Sequence, residues 1–108
     1  MTLNVDQTLA ALADPTRRQL LQRLAQKPRR AGELATGFAI SRPAICKHTR
    51  VLKRAGLIKA RQYGLEQIYE LAPSGSRAIE ELIGTLAEIE RFWDTALNAF
   101  KRYAEEEH

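Results

Sequence analysis

Between Ser41 and Arg61 the sequence reads SRPAICKHTRVLKRAGLIKAR, with seven Lys or Arg residues and no Asp or Glu. Drawn as a helix, with about 100° between successive residues, the stretch sends Ile45, Thr49 and Leu52 to one side. Pro43, Cys46, Lys47, Arg50 and Arg54 project from the other side, and Arg42 stands at the N-terminal lip. Such a face suits a polyanion. Lys and Arg donate to phosphate oxygens and to guanine O6 and N7, and the planar guanidinium does so with two parallel bonds. His48 is expected at the flank of this face, touching a phosphate or packing locally.

A basic run by itself is ordinarily a solvated helix surface, so its setting has to decide. A short helix, a turn of about four residues and then a helix with a basic outer face make a helix-turn-helix, which lays its second helix in a DNA major groove. Downstream, Arg61, Gln62 and Tyr63 lead to Gly64 at the tip of an expected hairpin, a wing that reaches an adjacent minor groove or the backbone. The net charge of +4 says little about partners, but its distribution says more. Residues 1–33 hold six basic and three acidic side chains, 34–65 seven and none, and 66–108 four and ten.

The elements that position these groups follow from local chemistry. Val5, Leu9 and Leu12 share one face of a helix over Val5–Ala13. Asp14 as N-cap and Pro15 at the first position start a second helix, whose buried stripe is Leu20, Leu21 and Leu24, and Pro28 helps to end it. A third helix over Ala31–Thr36 buries Leu34 and Ala35, and a turn through Gly37–Ile40 leads to Ser41, the cap of the basic helix. Thr49 on that helix's inner side either weakens packing or hydrogen-bonds to the preceding turn. Gly56 stops the helix, with Leu57 as its hydrophobic follower. Ile58, Tyr63, Ile68 and Tyr69 mark two strands around Gly64.

After Pro73–Gly75, Ser76 is expected to cap a long last helix running towards Tyr103. Leu82, Leu86, Ile89, Trp93, Ala96, Phe100 and Tyr103 recur on it at alternating spacings of four and three, a heptad-type seam. Ile79, Ile83, Phe92 and Leu97 widen it, leaving more apolar surface than so small a domain covers, so a partner helix is expected. Trp93, Phe92 and Phe100 read as the core of that seam rather than a ligand cage. The chain is thus one domain over 1–108, with a core at 5–73 and a dimerisation helix at 76–104. Its class is mainly α with a small β-hairpin.

Other chemistry finds little footing. The sequence has no phosphate-cradling Gly loop, no nucleophile motif and no convergent Ser, His and Asp set, so no enzyme is expected. Cys46 is the single cysteine, which argues for a reducing, cytoplasmic setting, and no apolar run is long enough for a membrane span. Arg17 and Arg18 are placed either on phosphate or in a salt bridge within the domain.

The segments LADPTRRQLLQRL, GELA, FAISRPAICKHTRVLKRAGLI and YEL, in that order, resemble the ArsR/SmtB-type winged helix-turn-helix regulators over residues 9 to 72. The resemblance implies a homodimer joined by its first and last helices, which adds Val5 and Leu9 to the interface. It also implies a repressor that an effector releases from double-stranded DNA. Carried over, the recognition-helix contacts fall on Ser41, Arg42, Cys46, Lys47 and Arg50, and the wing on Arg61 to Glu66. Relatives commonly have Ser in place of Cys46, Leu in place of Thr49 and a basic wing tip in place of Leu65 and Glu66, so a weaker wing is expected. GELATGF lacks the family's Cys-x-Cys thiolate pair, and Asp94 has no His nearby, His108 at the terminus being the only candidate. Neither metal nor cofactor is therefore expected. The reading is a homodimeric repressor on an inverted-repeat operator, with an organic effector, a protein effector or none left open. The alternative is a protein-interaction module that uses the winged domain as a scaffold.

Overall fold

A computed structural model describes residues 4–106; His108, weighed above as a metal ligand, lies outside them. Capping residues set the helix starts. Asn4 accepts from the Gln7 amide at 3.1 Å and opens α1 (Val5–Leu12). Asp14 accepts from the Thr16 and Arg17 amides at 2.8 and 3.2 Å and opens α2 (Pro15–Gln26), with Pro15 first in line as expected. The third helix, α3 (Ala31–Ala35), lacks a side-chain cap and stops one residue before the expected end. Ser41 caps α4 (Arg42–Arg54) by accepting from the Ala44 amide at 3.3 Å. Gly56 ends α4 at φ 76°, and the Leu57 amide returns to the Leu52 carbonyl at 3.1 Å.

Two strands, β2 (Ile58–Tyr63) and β3 (Glu66–Leu71), form the expected hairpin around Gly64, which adopts φ 62°. A third strand was not anticipated. β1 (Arg29–Arg30) pairs antiparallel with the other edge of β3, Arg29 opposite Tyr69 and Arg30 opposite Ile68, giving the order β1-β3-β2. The sheet thereby ties the wing to the chain entering α3.

The last helix, α5 (Ser74–Glu106), starts before the expected Ser76 and runs past 104. Ser76 does not cap it; its hydroxyl donates to the Pro73 carbonyl at 3.3 Å. The helix starts earlier because its first turn is fastened to the end of α4: Ser74 Oγ donates to the Gly56 carbonyl at 2.7 Å. Gly75 is buried there, and a Cβ on it would meet the Leu57 carbonyl oxygen at 3.3 Å.

Leu20, Leu34 and Leu52 are fully buried and, with Leu24, Ile45, Ile58 and Tyr69, bring α2, α3, α4 and the sheet onto one core. Burial of each such side chain contributes about 1.5–3 kcal/mol. In α1 the buried residues are Thr8 and Ala11, a correction to the expected stripe of Val5, Leu9 and Leu12. Leu12 is half-buried against the core, Val5 is half-buried, and Leu9 is exposed. Thr8 tolerates burial because its hydroxyl donates to the Asn4 carbonyl at 3.2 Å. Among the described residues no helix is long and apolar enough to cross a membrane.

Candidate nucleic-acid interface

Ile45, Thr49 and Leu52 pin the inner side of α4. The Thr49 hydroxyl donates to the Cys46 carbonyl at 3.0 Å, so the polar residue at a core position is satisfied within its own helix. With that side fixed, Pro43, Lys47, Arg50 and Arg54 are exposed on the opposite side, and Arg42, Cys46 and Lys53 are exposed on its flanks. No salt bridge within the described residues neutralises any of the Lys or Arg residues of α4. Ser41 is exposed as well, its oxygen engaged in capping. The Cys46 thiol is free and borders a cavity of about 170 Å³ shared with Arg42, Leu34 and Tyr69.

His48 falls outside this cluster. It is half-buried on the flank of α4, with Nδ1 3.0 Å from Arg17 Nη1. Arg17 and Arg18, placed on phosphate or in a salt bridge from the sequence, instead hold backbone carbonyls at the end of α1. Arg17 donates to Ala11 and Ala10 at 2.7 and 2.9 Å, and Arg18 to Leu12 at 2.8 Å. Burial of the neighbouring Asp14 carboxyl works to raise its pKa. The Arg17 and Thr16 amides outweigh it, helped by the electrostatic influence of His48 and Arg17, so the group stays below its ordinary value.

Sequence reasoning gave no role to Arg23, which organises the turn before α4. Its Nη1 donates to the Leu34 carbonyl at 3.0 Å and to that of Thr36, and its guanidinium lies 4.4 Å over the Phe38 ring. The end of α3 and the Gly37–Ile40 turn are thereby locked to α2.

The wing presents Arg61, Gln62, Tyr63 and Gly64 to solvent, with Leu65 fully exposed at its tip. Its charge is largely spent inside the sheet. Glu70 Oε1 lies 3.4 Å from Arg61 Nε and 3.7 Å from Lys59 Nζ, and Glu66 Oε2 lies 2.8 Å from Arg30 Nε on β1. Gln62 folds back to donate to the Gly64 carbonyl at 3.1 Å.

Along α5 the expected seam divides. Leu82 is buried at 5% exposure within its own chain, a correction that removes it from any surface left for a partner. Beyond it Leu86, Trp93, Phe100 and Tyr103 are exposed, and Ile89 and Ala96 are half-buried. Trp93 stacks on Phe100 at 6.3 Å between ring centroids and meets Phe92 edge-on at 5.6 Å. α1 packs against α5, with Val5 half-buried and Leu9 exposed.

Residues 14–60 match the family model described as "Bacterial regulatory protein, arsR family". The chain is 38% identical over 102 residues to the HTH-type transcriptional regulator Rv2034 of Mycobacterium tuberculosis, covering 94% of this chain and 90% of that protein. An ArsR-like transcriptional regulator from a Rhodococcus species superimposes with a TM-score of 0.65 at 33% identity, covering 93% of this chain and 92% of the other. A homodimeric winged helix-turn-helix DNA-binding domain from Mycobacterium bovis does so at 0.61 and 29% identity, covering 86% and 81%. Family model, relative and fold agree, and the chain belongs to the ArsR family of winged helix-turn-helix, DNA-binding transcriptional regulators.

Proposed function

We propose that the chain is a homodimeric repressor of an inverted-repeat operator. Two copies pair through α1 and the exposed part of α5 and present two α4 helices to successive major grooves, about 34–36 Å apart. The observation that carries this reading is that the cations of α4 are all exposed, with no carboxylate paired to them among the described residues. Arg42, Lys47, Arg50 and Arg54 supply donors to bases and phosphates, Ser41, Pro43 and Cys46 approach the groove floor, and His48 lies at its edge. Arg61, Gln62, Tyr63 and Gly64 bring the wing to the neighbouring backbone.

The dimer has its own support. The apolar face of α5 is open in a single chain, and the Mycobacterium bovis relative is named a homodimer. Pairing joins two half-site contacts that are weak when separate.

Gel-shift titration at several salt concentrations tests the whole. If a dimer neutralises roughly 6–10 phosphates, affinity falls about 10³- to 10⁵-fold between 50 and 200 mM salt. Lys47→Ala and Arg50→Ala weaken binding and leave the dimer intact. A flat salt response, or full binding by both variants, removes α4 from the site. Duplex indifference combined with capture of a different protein by α5 would favour the scaffold reading, which draws on the same open apolar face.

A further inference from the structure

Arg17 sits in the first turn of α2, where Asp14 capping fixes the backbone, and its guanidinium fills the space between the end of α1 and the flank of α4. Every arm of it is occupied. Nε and Nη2 donate to the Ala11 and Ala10 carbonyls at 2.7 and 2.9 Å, and Nη1 meets His48 Nδ1 at 3.0 Å. Carbonyls at a helix C-terminus lack intrahelical donors and carry partial negative charge. α1 has no basic residue in its last turn, so Arg17 supplies the missing cation from the next helix.

The bond to His48 has a chemical consequence. A guanidinium stays protonated and only donates. His48 Nδ1 must therefore accept, which makes the ring neutral with its hydrogen on Nε2. That second nitrogen makes no hydrogen bond among the described residues and is not sealed from solvent. It belongs to a half-buried ring at the edge of α4, beside the N-terminal turn of α2.

We infer that Arg17 is a positioning residue for the recognition helix: it holds His48 as the Nε2–H tautomer, whose free N–H donates to a phosphate oxygen of the duplex. The same guanidinium ties α4 to the end of α1, one of the helices assigned above to the dimer interface, so the setting of the phosphate donor depends on where α1 ends. The inference rests on the DNA-binding reading and deepens it. Sequence alone divided these two residues, each with a local and a phosphate-facing role. Here Arg17 is internal and His48 is its outward end.

The tautomer is read by long-range ¹⁵N–¹H correlation spectra of the full-length, DNA-free chain, with His48→Gln separating the His48 signal from that of His108. Above the titration range of histidine the wild-type ring shows a lone-pair Nδ1 and a protonated Nε2, and Arg17→Met abolishes that preference. Binding is read with a mixed-sequence duplex at low salt, since a phosphate contact is independent of sequence. Arg17→Met and His48→Leu each weaken it by about tenfold, the double variant is no weaker than either single one, and His48→Gln stays within about twofold. Gln preserves binding because its amide can accept from Arg17 and still donate outwards. If Arg17→Met fails to fold, the contrast between His48→Gln and His48→Leu carries the test. An Nδ1–H tautomer in the wild type, additive losses, or equal binding by His48→Leu and wild type overturns the inference. Failure of the wild-type chain to bind any duplex strikes the DNA-binding reading instead, and the tautomer measured without DNA still decides what Arg17 does to His48.

Discussion

Glu70 Oε1 lies 3.4 Å from Arg61 Nε, inside the hairpin that forms the wing. The same oxygen lies 3.7 Å from Lys59 Nζ, so one half-buried carboxylate faces two of the wing's cations. Both cations are about half exposed, and the pairs contribute little to stability in water. Their effect on DNA is larger, because Arg61 must leave Glu70 or share it before meeting a phosphate. Glu70→Gln is therefore expected to strengthen duplex binding. The slope of log affinity against log salt should steepen by about 0.9 for each phosphate gained. Titration of wild type and variant across a salt series checks this, and an unchanged slope would mean that the wing makes no phosphate contact.

Arg23 makes the opposite kind of prediction, since its charge never reaches the surface that α4 presents. Arg23→Met keeps the aliphatic stem but removes the donors to Leu34 and Thr36 and the cation over Phe38. Two carbonyls lose their partner and the turn before α4 loses its anchor, at a cost of about 1–3 kcal/mol. Chemical denaturation should show that loss. Duplex binding should weaken as well, because the angle of α4 against α3 is no longer held. Intact stability would reduce Arg23 to an ordinary surface residue.

Where the sequence was informative, the chemistry was local. Asp14, Ser41, Gly56 and Gly64 each act on backbone within a few residues, and all four do what their type and position imply. Thr49 was legible for the same reason, its partner lying one turn back. What escaped depends on distant partners. β1 is two residues long, too short for any periodicity, and exists because Tyr69 and Ile68 arrive beside it. Arg17 and Arg18 read as phosphate contacts or salt-bridge partners and Arg23 had no assigned role, because nothing near them in sequence names the carbonyls that hold them. Leu82 and Leu86 both lie in the heptad seam, and only the packed fold shows that the first is still on the domain while the second has left it.

The Asp14 cap should be visible in stability against pH. Its carboxyl lies below the ordinary value of 3.8 in the folded chain, so its contribution is fully present above that value. It is lost as the pH falls through the lower folded-state value. Asp14→Ala is expected to cost about 1 kcal/mol at neutral pH. The difference from wild type should be level near neutrality and should shrink only below pH 3.8. Thermal or urea unfolding at several pH values measures it. A gap that closes well above that pH would assign the effect to another group.

Leu82 and Trp93 lie eleven residues apart on α5 and should fail in different ways. α5 is 33 residues long, about 50 Å, whereas its buried residues, Gly75, Ala78 and Leu82, all lie in its first third. Leu82→Ala opens a cavity inside the protomer and should cost about 2–5 kcal/mol whether or not the chain is paired. Trp93 is half exposed in one chain and stacks only on residues of its own helix, so in a monomer Trp93→Ala removes little packing. If a second α5 covers that face, the loss appears in association: sedimentation should show monomer, and apparent stability should cease to depend on protein concentration. Duplex affinity should then drop to that of a single half-site. A Trp93→Ala chain that remains dimeric would move the interface elsewhere and leave the exposed aromatic face without its proposed partner.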